Sequence, residues 1–174
     1  MLSTIKLNPA IRDRLDDLIR RNCTILIGDA NGADKAVQQH FAARGYSNVV
    51  VFCMEECRNN AGNWPLRHIE PPGRRRDFAY YAAKDLAMFN EANYGVMPWD
   101  AKSKGTLQNI LNLVRAGKRT LVYVAPSEEF RVLANEEDLQ ALLALCKQRH
   151  LDTAARGLGL KAPLAQSRLP LAPR

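Results

Sequence analysis

The chain contains no apolar run approaching the roughly 20 residues needed to cross a bilayer, and its N-terminus lacks the basic-then-apolar profile of a secretory signal. It has no internal repeat and no aromatic-and-basic surface motif of the kind that grips nucleic acid. Cysteine is sparse, with Cys23, Cys53, Cys57 and Cys146 the only four, and in a chain of this length that count implies neither a disulfide framework nor a metal site. The segment Cys53-Met54-Glu55-Glu56-Cys57, with His68 nearby, is the only metal-like cluster. Its spacing fits no common zinc pattern and no second pair follows, so no metal is expected. Cys23 and Cys146 lie on apolar faces and are expected in the core. These absences predict a cytoplasmic protein with no membrane partner, and make nucleic acid an unfavoured one.

What is present is ordinary globular composition: 174 residues, 47% hydrophobic and 25% charged, enough for one domain with a substantial core. The net charge of +7 is unevenly spread. Residues 151–174 hold Arg156, Lys161, Arg168 and Arg174 against Asp152, and Gly157, Gly159 and several prolines break any helical or strand period there. The expected organisation is a folded domain over residues 1–150 and a basic, mobile tail over 151–174. A DNA-associated accessory role for that tail is the third-ranked reading.

Within the domain, short apolar strands alternate with amphipathic helices. Asn8 and Pro9 form a helix start, followed by the stripe Ile11, Leu15, Leu18 and Ile19. Strands are expected at 24–27, 49–52, 94–97 and 120–124, with helices at 33–44, 74–89, 106–116 and from Asn135 onward. Glu136, Glu137 and Asp138 open the last helix and Lys147, Arg149 and His150 close it, in agreement with the helix dipole. Residues 53–73 form a long loop where a lid or binding loop would sit. The alternation predicts an α/β fold: a three-layer sandwich around a mostly parallel sheet of 4–5 strands, with right-handed crossovers. Ligands of such sheets bind beyond the carboxyl ends of the strands.

Two turns fall at that edge. Gly28-Asp29-Ala30-Asn31-Gly32-Ala33-Asp34 follows the first strand and Ser103-Lys104-Gly105-Thr106 opens a later helix. Glycine allows close backbone approach, and the unpaired N–H groups at a helix start attract an anion. One phosphorylated ligand held between the two turns is the functional expectation. Arg74, Arg75 and Arg76 oppose the dipole of the helix they open, a cost that a bound phosphate would reverse, and Arg76 is the preferred contact. Asp34 either caps its helix or faces the ligand. Asp29 suits hydrogen bonding to ribose hydroxyls, activation of a water or a structural role.

These residues resemble the SLOG superfamily of Rossmann-like proteins, which includes the cytokinin-activating phosphoribohydrolases of the LOG group and the family typified by YspA. The turn at 28–34 looks like the Gly-Gly-Ala-x-Gly-x-Asp turn, Arg76-Asp77 with Asp85 like the Arg-(Asn/Lys)…Asp helix, and Ser103-Lys104-Gly105-Thr106 like the Gly/Ser-x-Gly-Thr turn. The resemblance spans roughly residues 22–125. It implies a Rossmann-like fold and a homo-oligomer. It also implies a nucleotide-like ligand contacted by Gly28, Asp29, Asn31, Gly32, Asp34, Arg76, Asp77, Ser103, Lys104, Gly105 and Thr106, with no cofactor. Phosphoribohydrolases of this kind carry a glutamate three residues after the threonine, and here that position is Asn109. An amide cannot serve as a general base. Ligand binding or sensing is therefore the leading expectation. The rival is an N-glycosidase acting on nucleotides through a displaced catalytic carboxylate, with Asp29, Glu55 and Glu56 as candidates.

Overall fold

A computed structural model of the chain describes residues 7–70 and 78–144. The helix α1 (Pro9–Arg20) begins where Asn8 accepts a hydrogen bond from the Ile11 N–H at 2.9 Å, with Pro9 in the first turn. It is followed by β1 (Ile25–Gly28), α2 (Ala33–Ala43), β2 (Val49–Cys53), β3 (Leu66–His68) and α3 (Phe78–Glu91). The second half contains β4 (Gly95–Trp99), α4 (Lys104–Arg115), β5 (Thr120–Val124), β6 (Glu129–Leu133) and α5 (Glu136–Ala144). At the start of α5, Asn135 accepts from the Asp138 N–H and Asp138 accepts from the Ala134 N–H, a reciprocal cap.

The strands form two three-stranded sheets, where the sequence predicts one sheet of four to five strands. In the first, β1, β2 and β3 run parallel, with Ile27 opposite Val51 and Val51 opposite Leu66. In the second, β4 and β5 are parallel and β6 returns antiparallel to β5. The two strands that the sequence reading lacks are β3 and β6, both at sheet edges. Their inward–outward patterns are weak, because all three residues of β3 are exposed and only Leu133 of β6 is buried. Edge strands are specified by backbone pairing more than by apolar alternation.

Two cores lie against these sheets. In one, Ile11 and Leu15 of α1 and Phe41 of α2 pack on Ile27, Val49, Val51, Trp64 and Tyr123. In the other, Leu107, Ile110, Leu111 and Val114 of α4 and Leu139, Leu142 and Leu143 of α5 pack on Trp99, Val122, Val124 and Leu133. All five residues of β5 are buried: Tyr123 enters the first core while Val122 and Val124 enter the second. This is period-two alternation with an apolar layer on each face. Tyr123 also joins the halves, since Asn8 donates to its hydroxyl.

The segment after β2 is pinned rather than loose. Asn60 donates from its amide to the Trp64 carbonyl and accepts from the Trp64 N–H, and the Trp64 indole donates to the Tyr46 carbonyl at 2.8 Å. No helix among the described residues is long and apolar enough to cross a membrane. The expected tail at 151–174 and the expected helix start at 74–77 lie outside the described residues, as does Cys146. Cys23 is only partly buried, at the end of the α1–β1 connection, and not in the core.

Candidate carboxylate hub beneath the β1 turn

Because β1 and β2 are parallel neighbours, the residues leaving both strands meet at one edge. Asp29, the first residue after β1, turns inward and is only 2% exposed. Arg58, from the segment after β2, grips it three ways: its backbone N–H at 3.1 Å, Nε at 3.1 Å and Nη2 at 2.8 Å. Lys84 of α3, itself 4% exposed, adds Nζ at 3.2 Å. Burial alone would raise the Asp29 carboxyl, but the Arg58 side-chain and backbone hydrogen bonds and the Lys84 charge outweigh it, and bring the group down to about 2. A carboxylate held that far down is a weak proton acceptor, so the geometry favours the structural reading of Asp29 over activation of a water.

Lys84 sits on the buried side of α3, one turn after the buried Tyr80. Its ammonium reaches the next residue's carboxylate, Asp85, at 3.7 Å, and Asp85 accepts from the Asn109 amide of α4 at 2.9 Å. A continuous polar path therefore runs from the β1 turn through α3 to α4. Asp34 belongs to the same cluster. Burial raises its carboxyl, with the Lys84 charge and the Ala30 N–H opposing that rise. It does not cap α2, whose N-cap is Gly32 with φ +99° and no side-chain hydrogen bond; instead it folds back to accept from the Ala30 N–H at 3.1 Å.

Gly28 is dictated by this packing. A Cβ there would lie 2.4 Å from Asp34 Oδ2 and 2.7 Å from Lys84 Nζ, so a side chain would occupy the space of the ion cluster. Gln38, fully buried on α2, fastens the turn to the following loop. Its amide donates to the Gly28 carbonyl at 2.7 Å and the Asn59 carbonyl at 3.2 Å, and its Oε1 accepts from the Ala61 N–H at 3.0 Å. Asn59 in turn donates to the Asp29 carbonyl and to Asn31 Oδ1. The exposed Asn31 is thus tied to the loop across the turn.

The second predicted turn has a different character. Ser103 caps α4, accepting from the Thr106 N–H and hydroxyl at 3.4 and 3.0 Å. The Asp100 carboxylate, Oδ1, accepts from the Lys102 and Ser103 N–H groups at 2.9 and 2.7 Å and so shapes the approach. Lys104 and Gly105 are exposed in the first helical turn, and a Cβ at Gly105 would meet nothing within 4 Å. Their N–H groups point out of the helix start without intrahelical acceptors.

Of the residues singled out from sequence, Asp29, Asp34 and Gly28 converge, and Asp85 joins them to α4. Glu55 and Glu56 are exposed on the bend between β2 and Arg58. Arg76 and Asp77 lie outside the described residues. Sequence reasoning missed Arg58, Lys84, Gln38 and Asn59. The signal for Lys84 and Gln38 was a polar residue on an inward helical face; for Arg58 and Asn59 there was only their place after a strand. Among the described residues, no three His, Cys, Asp or Glu side chains are grouped to hold a metal. The chain matches no protein-family profile, no curated protein and no solved structure.

Proposed function

We propose that the chain binds a nucleotide or nucleotide-derived phosphorylated ligand at the carboxyl ends of β1, β2 and β4, as a SLOG-type binding or sensing protein. The observation that carries this reading is the polar path Asp29–Lys84–Asp85–Asn109, which couples the β1 turn to α4, whose first turn holds Gly105. A helix start with exposed N–H groups and open space at Gly105 is suited to a phosphate. Hydrolysis has less support: Asn109 is an amide spent on Asp85, and Asp29 is clamped by two cations. In this reading the hub sets the shape of the β1 turn, and the ligand meets backbone N–H groups and polar side chains at the rim. The homo-oligomer implied by the resemblance belongs to the same proposal, and light scattering tests it.

The test is calorimetric titration with AMP and with ADP-ribose, comparing the natural chain with Gly105→Asp. A carboxylate at this position has room, and it favours the helix dipole by about 0.3–1 kcal/mol, while repelling phosphate. Saturable binding that falls at least tenfold in the variant, with Tm unchanged or raised, is the expected result. No binding of either compound, or equal affinity in both proteins, overturns the proposal. Free base in the same incubations, read by mass spectrometry, would make the protein an N-glycosidase.

A further inference from the structure

Asn31 and Gly32 stand between β1 and α2, and Asn31 is the one asparagine of the chain that is followed by glycine. The turn holds Gly32 at φ +99°, a conformation that suits glycine. Asn31 is exposed, yet its side chain is oriented. Asn59 Nδ2 donates to the Asp29 carbonyl at 2.7 Å, which fixes that amide as a donor, so the atom it meets at 3.0 Å is Asn31 Oδ1. Among the described residues, no group accepts from Asn31 Nδ2 or from the Gly32 N–H.

We propose that Asn31 is a self-modification site, at which the chain converts its own amide to a carboxylate through a succinimide, with water as the co-reactant. Solvent hydroxide takes the Gly32 amide proton, and the Gly32 nitrogen attacks Asn31 Cγ to close a five-membered ring. The N–Cγ bond forms, the Cγ–Nδ2 bond breaks, and ammonia leaves with a proton from water, which regenerates the hydroxide. Water then opens the ring. Attack at Cγ breaks the new bond and gives aspartate; attack at the main-chain carbonyl breaks the original bond to Gly32 and gives isoaspartate. One water is consumed and one ammonia released, with nothing oxidised or reduced.

The turn favours this reaction at Asn31 in several ways. The attacking nitrogen belongs to the adjoining residue, so ring closure is intramolecular, and glycine has no side chain to crowd it. The exposed Asn22, Asn63, Asn90 and Asn93 precede Cys, Trp, Glu and Tyr instead. Asn59 Nδ2 faces the oxygen on which negative charge develops as the nitrogen adds to Cγ, and so acts as an oxyanion donor. Neither the attacking nor the leaving nitrogen gives up a hydrogen bond to a described residue. The product carboxylate stands one residue before Gly32, the N-cap of α2, where the helix dipole favours negative charge. The outcome is a one-way gain of charge on the β1 turn, two residues beyond Asp29. The chemistry requires no ligand.

The test ages the full folded chain in mildly alkaline buffer, digests it at acid pH to stop further conversion, and maps aspartate and isoaspartate at each asparagine by mass spectrometry. Asn31 is expected to convert ahead of Asn22, Asn63, Asn90 and Asn93, with both products at position 31. Asn59→Ala, which removes the donor to Oδ1, is expected to slow conversion about 2–10-fold in the folded chain, and to leave the rate unchanged in urea, where the contact is absent. The order of conversion in the natural chain serves as the test if that variant does not fold. An intact amide at Asn31 while another asparagine converts, or a folded Asn59→Ala chain that converts as fast as the natural one or faster, overturns the proposal.

Discussion

Replacing Asp29 by asparagine keeps the shape of the hub and removes its charge. The carboxyl lies at about 2 in the folded chain against an ordinary 3.8, a difference worth about 2 kcal/mol of folding stability near neutral pH. Solvent screening lowers the share owed to Arg58, whose side chain is 44% exposed, whereas Lys84 at 5% has little access to water. Taking the closest carboxylate away from that ammonium, which leaves it Asp85 and the raised carboxyl of Asp34, adds to the loss, since a broken buried pair costs about 3–5 kcal/mol in well-enclosed cases. We therefore expect Asp29→Asn to destabilise the protein by about 2–4 kcal/mol at pH 7. The native carboxyl is depressed, so its contribution is complete well above pH 4 and is lost as pH falls toward 2. By pH 3 about 1 kcal/mol of it has gone, and the gap between the natural chain and the variant narrows accordingly. Urea unfolding followed by circular dichroism at pH 7 and pH 3 measures both quantities. Restoring part of the loss with Lys84→Met in the Asp29→Asn background separates a stranded charge from a simple packing defect. A gap below about 0.5 kcal/mol at pH 7, or one that does not shrink with acid, refutes the account of Asp29 as a charge-paired hub.

Gly28 and Gly105, one from each predicted phosphate turn, should respond oppositely to alanine. Gly28→Ala forces a methyl to within 2.4 Å of Asp34 and 2.7 Å of Lys84, and should lower stability by about 1–3 kcal/mol or more. Gly105→Ala enters open space in a helix and should raise it by up to about 1 kcal/mol; thermal melts of the pair decide. Gln38→Leu leaves the Gly28 and Asn59 carbonyls and the Ala61 N–H without their partner, and is expected to cost about 2–4 kcal/mol and to speed amide exchange at Ala61. Asn8→Ala removes the α1 cap, for about 1–2 kcal/mol, together with the contact to the Tyr123 hydroxyl. Tyr123→Phe should add little once Asn8 is gone, so strict additivity in the double-mutant cycle would contradict the coupling.

Local chemistry determined much of this protein. Asn8-Pro9 starts α1 as its cap and first turn require. The apolar runs expected at 24–27, 49–52 and 120–124 are strands at 25–28, 49–53 and 120–124, and Asn135 caps a helix as expected. These features are legible because each depends on neighbours within about one helical turn, or on a period of two along a strand. The strands β3 and β6 were not legible, because edge pairing is made with a backbone that the sequence places elsewhere. Gly28 illustrates the same limit at the site: its presence suggested a phosphate turn, but the atoms beside it are Asp34 Oδ2 and Lys84 Nζ. Asp29 is recognisable in sequence as a carboxylate next to a turn. Only tertiary structure decided that Arg58, 29 positions away, and Lys84, 55 positions away, neutralise it. A buried charge acquires its role from the partners that folding brings into Coulombic range, and in this chain those partners come from a loop after β2 and the inner face of α3.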